Sequence, residues 1–101
     1  GTVYAGTNNG IYKKTDGGEW ISVGLAGKVV TAIGIHPSQP NLIVAGSYAS
    51  AYSSQDGGVN WVMGASDFFG ATIKVVTFDP EKSTLAYLGT NTQGIYRLTI
   101  K

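Results

Sequence analysis

Short runs of β-branched, aliphatic and aromatic residues alternate along this chain with clusters of glycine, asparagine, aspartate, serine and proline. No helical period of apolar residues persists over ten or more positions, so helices are not expected. Runs of this kind between turn formers read as strands. Ten are predicted, at about 2–6, 10–14, 19–23, 29–35, 42–46, 50–54, 60–63, 72–78, 85–89 and 94–100.

The pattern repeats. Thr2-Val3-Tyr4-Ala5-Gly6-Thr7 aligns with Leu42-Ile43-Val44-Ala45-Gly46-Ser47 and with Leu85-Ala86-Tyr87-Leu88-Gly89-Thr90, so that the shared glycines are spaced by 40 and then 43 residues. Thr31-Ala32-Ile33-Gly34-Ile35-His36-Pro37 matches Lys74-Val75-Val76-Thr77-Phe78-Asp79-Pro80, again 43 residues on. Asp16-Gly17-Gly18 before Trp20 recurs as Asp56-Gly57-Gly58 before Trp61. A period in the low forties fits the four-stranded blade of a β-propeller. With strands lettered A to D from the inside outwards, the chain reads BCD, ABCD, ABC. The expected fold is all-β, about 2.5 four-stranded antiparallel blades in a single partial propeller over 1–101, with units of roughly 1–27, 28–70 and 71–101.

Ser54-Gln55-Asp56-Gly57-Gly58-Val59-Asn60-Trp61 matches the Asp-box pattern Ser-x-Asp-x-Gly-x-x-Trp in full. Together with His36-Pro37, Ala45-Gly46-Ser47 and Tyr52, it resembles the repeat of Asp-box, or BNR, β-propellers. That group includes sialidases, xyloglucanase-type glycoside hydrolases, the sortilin luminal domain and a photosystem II assembly factor. Lys14-Thr15-Asp16-Gly17-Gly18-Glu19-Trp20 is a degenerate second copy, with lysine for the leading serine and one residue fewer before the tryptophan. In physical terms the glycine pair supplies positive φ, the aspartate accepts hydrogen bonds from the turn's amides, and the indole packs across the hairpin. Asp16, Gly18, Trp20, Ser54, Asp56, Gly58 and Trp61 are therefore expected to be structural. The resemblance implies that these boxes lie on the face away from ligand.

Charge and composition narrow the function. The 101 residues are 43% hydrophobic and only 13% charged, with a net charge of +1. That is the composition of a folded chain, and no basic face for nucleic acid is expected. Apolar runs reach four to six residues, short of the roughly 20 of a membrane-spanning helix, so no membrane partner is expected. There is no cysteine, and His36 is the sole histidine, which leaves no triad, no expected metal site and no expected cofactor. The chain begins at Gly1 rather than methionine, which is compatible with a removed leader and a secreted or periplasmic location; the compartment is otherwise open.

Catalysis finds few groups. Sialidases clamp a carboxylate with three arginines, whereas this chain has Arg97 alone. Xyloglucanase-type hydrolases need a pair of carboxylates about the glycosidic bond, and the loop between strands B and C offers Asn8, Tyr48 or Ala49, and Asn91 where such enzymes carry an aspartate. Asp67 is the single carboxylate expected on the ligand face, so no catalytic residue is assigned and the balance is against an enzyme. The B–C and D–A loops present Asn8, Asn9, Tyr48, Asn91 and Gln93, with Asp67, Phe68 and Phe69. Amides beside aromatic rings suit sugar hydroxyls or peptide groups. The expected role is a non-catalytic module that binds protein or glycan, or an assembly scaffold; the alternative is a piece of an Asp-box glycoside hydrolase whose carboxylates lie elsewhere. Two and a half blades do not close a ring of about four to eight, so self-association, or the rest of a longer chain, is expected to complete it.

Overall fold

A computed structural model describes residues 1–48, 50–66 and 71–100. Ten strands form among the described residues: β1 (Thr2–Thr7), β2 (Gly10–Thr15), β3 (Ile21–Gly24), β4 (Ala32–Ile35), β5 (Ile43–Gly46), β6 (Ser50–Ser54), β7 (Val62–Ser66), β8 (Ile73–Phe78), β9 (Leu85–Thr90) and β10 (Ile95–Thr99). No helix occurs among the described residues. The strands make three separate antiparallel sheets in the orders β1-β2-β3, β4-β5-β6-β7 and β10-β9-β8. The chain is thus all-β, a set of unclosed propeller blades. Each sheet is a meander, so its connections alternate between two ends. The B–C turns (β1–β2, β5–β6, β9–β10) share one face with the D–A connections; the A–B and C–D turns share the other.

Sheets stack flank to flank, and the seams between them are the core. One cluster joins Leu42, Val44 and Ala51 of the middle sheet to Ile73, Val76, Phe78, Ala86, Leu88 and Leu98 of the last. A second joins Ile11 of the first sheet to Val30 and Ala45 near and within the middle one, with Tyr4, Val23, Leu25 and Trp61 against it. The middle sheet is covered on both sides, which explains why β5 is a continuous apolar run, Ile43-Val44-Ala45-Gly46, buried at every position. The outer strands alternate instead: Leu98 of β10 is buried between exposed Arg97 and Thr99.

Glycines set how closely the sheets approach. A Cβ on Gly6 would stand 2.7 Å from Val30 Cγ1, and one on Gly34 would stand 2.5 Å from Val76 Cγ1. Gly46, the repeat equivalent of Gly6, is similarly filled by Ile73. Hydrogen bonds cross with the same period: Val30 N–H donates to Thr7 O at 2.8 Å, and Ile73 N–H to Ser47 O at 3.2 Å. Val30 therefore serves the preceding sheet, and β4 begins at Ala32 rather than at the expected 29. The two D strands also start later than expected, at Ile21 and Val62, because each tryptophan belongs to the turn before its strand.

Candidate functional site

The β6–β7 turn is a closed network of short-range bonds. Ser54 Oγ donates to Asp56 Oδ1 at 2.8 Å and accepts from Gly58 N–H at 2.9 Å. Asp56 Oδ1 accepts from Asn60 N–H at 2.9 Å, and Oδ2 from Asn60 Nδ2 at 2.8 Å. The Asn60 N–H, then its side-chain amide, then the Ser54 hydroxyl hold the Asp56 carboxyl down at about 2. Gly57 and Gly58 have φ of 75° and 102°, which gives the turn its left-handed backbone. Trp61 does more than cross its own hairpin. Its Nε1 donates to Gly58 O at 2.9 Å and reaches Val23 O of the first sheet at 3.3 Å, wedging the indole into the seam.

The β2–β3 turn lacks this network. Lys14 stands where Ser54 stands, and of its glycine pair only Gly17 has positive φ. Asp16 makes no hydrogen bond to its own turn among the described residues and instead meets the Gly1 ammonium at 2.5 Å. Trp20 is 48% exposed. The serine hydroxyl that bridges aspartate to glycine amide, and the extra residue that brings Asn60 under the carboxylate, are the missing parts.

The A–B turns show one geometry built from two chemistries. Asp79 Oδ1 accepts from the N–H groups of Glu81 and Lys82 at 2.8 and 3.0 Å. At the equivalent position His36 Nδ1 accepts from Ser38 and Gln39 N–H, both at 3.1 Å. Nδ1 must carry no proton to do this. Asp79 also accepts from Tyr87 Oη at 2.6 Å; that bond, followed by the Glu81 N–H, lowers the carboxyl pKa and raises that of the phenol. Every described carboxylate, Asp16, Glu19, Asp56, Asp79 and Glu81, therefore lies on the face of the A–B and C–D turns.

The opposite face carries Asn8, Asn9, Asn91 and Gln93 and none of the described carboxylates. Asn9 Oδ1 accepts from Gly27 N–H at 2.7 Å, tying the first B–C turn to the following D–A connection. Asn91 Oδ1 accepts from Thr72 N–H at 3.0 Å. Tyr48 bridges Thr72 and is 58% exposed; Asn8 and Gln93 are exposed beside them. Asp67, Phe68 and Phe69 lie outside the described residues. Two threonines organise these turns and went unremarked in the sequence: Thr7 Oγ1 accepts from Asn9 N–H at 3.0 Å and donates to Gly10 O at 2.9 Å, while Thr90 Oγ1 accepts from Gln93 N–H at 2.9 Å and donates to Gly94 O at 2.8 Å. The repeated Gly-Thr pair was the available signal. Among the described residues no group of three His, Cys, Asp or Glu side chains is placed to hold a metal.

No family model and no curated protein matches the chain. Among solved structures it is similar to the crystal structure of an ancestral GH74 enzyme, with 23% identity and a TM-score of 0.76. The similarity covers 96% of this chain and spans 15% of the length of that one. At this identity it bears on fold alone.

Proposed function

We propose that the chain is part of an Asp-box β-propeller and serves as a non-catalytic binding or assembly module, with the amide-bearing B–C turns meeting a protein or glycan. The observation that carries this reading is the distribution of carboxylates. All those described lie on one face, and Asp56 and Asp79 are committed to their turns. The opposite face offers Asn8, Asn9, Asn91 and Gln93, amides that hydrogen-bond without acid–base chemistry, beside the Tyr48 phenol. The Ser54–Asp56–Asn60 network and the Trp61 wedge support the Asp-box assignment. Binding is tested on a glycan array and in a hydrolase screen with the full chain: retention without turnover, weakened by Asn8→Ala or Gln93→Ala, is the expected result.

A second reading has one observation in its favour, the structural likeness to an ancestral GH74 enzyme. Under it the chain is a piece of a glycoside hydrolase whose remaining carboxylates lie in other blades or another subunit. Turnover that is lost in Asp67→Asn would establish this reading and displace the first.

Closure belongs to either reading. Two copies bring twenty strands, enough for six units with three-stranded ends or for five four-stranded blades after strand exchange. Light scattering across a dilution series should give a discrete closed oligomer; a monomer with a cooperative melt would refute self-closure.

A further inference from the structure

A cavity opens on the face of the A–B and C–D turns, where no ligand is expected from the sequence. It has a volume of about 450 Å³ and lies in the cleft between the middle and last sheets, within the range of roughly 300–1,000 Å³ typical of small-ligand sites. Its walls are Gln39, Asn41 and Gln55 on one side and Ser83 and Thr84 on the other. Leu42 and Ile100, 8% and 6% exposed, give it an apolar floor.

We propose that this cleft binds a neutral saccharide of one or two rings, at a site separate from the B–C turns and independent of the role proposed for them. Charge comes first. None of the described lining side chains is ionised, so a charged ligand would lose water without gaining a counter-charge from them. Hydrogen-bonding capacity comes second. The carboxamides of Gln39 and Asn41 each carry an acceptor and two donors, and the hydroxyls of Ser83 and Thr84 carry both roles, the two-way capacity that sugar hydroxyls require. The apolar floor receives the C–H face of a ring. Third, the walls are already held in place. His36 Nδ1 accepts from Gln39 N–H at 3.1 Å, Gly57 N–H donates to Asn41 O at 3.0 Å, Leu42 N–H to Gln39 O at 2.9 Å and Ile100 N–H to Thr84 O at 2.7 Å. A ligand that binds here orders side chains only, which lowers the entropic cost. The main-chain N–H groups of Gln39, Leu42 and Ile100 are spent on these bonds.

The test is a titration of the isotope-labelled full chain with cellobiose, maltose and lactose, followed by amide NMR. The expected result is saturable shifts in the Gln39 and Asn41 side-chain amides and in the backbone amides of 82–85, with none at 8–10 or 90–94. Gln39→Ala, at an exposed turn, and Thr84→Val should each weaken binding by about tenfold, the loss of one hydrogen bond. Ser83→Tyr should fill the cleft and abolish binding while amide dispersion is retained. The proposal is overturned if none of the three sugars produces saturable shifts, if Ser83→Tyr binds as tightly as the parent chain, or if the shifts centre on Asn8 and Gln93. That last outcome would leave the reading of the B–C turns standing.

Discussion

At the scale of the residue, the β6–β7 turn makes the sharpest predictions. Ser54 is 1% exposed and serves both Asp56 and Gly58, so Ser54→Ala should cost about 1–3 kcal/mol, read from urea unfolding, because the buried Gly58 N–H is left without its acceptor. Asp56 gives the turn a pH dependence. Its native carboxyl sits at about 2 against an ordinary 3.8, so as pH falls the unfolded chain takes up the proton first. The contribution is complete above pH 3.8 and is lost as pH drops towards 2. Asp56→Asn should therefore be less stable than the parent at neutral pH, and the gap should close across that interval; a gap that persists unchanged at pH 2 would contradict the assignment. His36 offers a chemical comparison with Asp79. His36→Ala removes the acceptor for two turn amides and the edge contact with Phe78, whose ring centroid is 5.2 Å away, and should cost about 1–3 kcal/mol. His36→Asp restores an acceptor of the kind Asp79 provides and should recover part of that loss in the same unfolding measurement.

At the scale of the element, the seams depend on absent side chains. Gly34→Ala would drive a methyl into Val76 and should destabilise by about 1–3 kcal/mol. Val76→Ala opens that space, so the double variant should cost less than the sum of the two, a coupling that a double-mutant cycle reads directly. These seams also mark what the sequence could disclose. The strands were legible because runs of β-formers are bounded by glycine and proline, and Ser50–Ser54 falls where the pattern predicts. The start of β4 was not, since Val30 looks like a strand residue and its N–H bonds across to Thr7 of another sheet. A turn at Asp56-Gly57-Gly58 was legible from the glycine pair, whereas the bonds from Asn60 to the Asp56 carboxylate were not. Gln39, Asn41, Ser83 and Thr84 were not legible as one cleft, because their convergence depends on how two sheets are set side by side, and no local pattern encodes that angle.

At the scale of the whole molecule, coverage is uneven. The middle sheet is packed on both flanks, while the outward faces of the end sheets leave Val3 and Val75 55% and 52% exposed. If like chains close the ring, these faces become seams and the melting temperature should rise with protein concentration. Val3→Lys and Val75→Lys should abolish that dependence, checked by scanning calorimetry over a dilution series. The two tryptophans divide along the same line. Trp61 is clasped between two sheets, and Trp20 stands about half in water. Replacing Trp20 with phenylalanine would leave a chain with a single strong emitter lodged at a sheet junction. Its fluorescence maximum would then move to longer wavelength when the first and middle sheets part, whether or not either sheet has melted, so blade separation and strand unfolding become separately visible in one optical experiment.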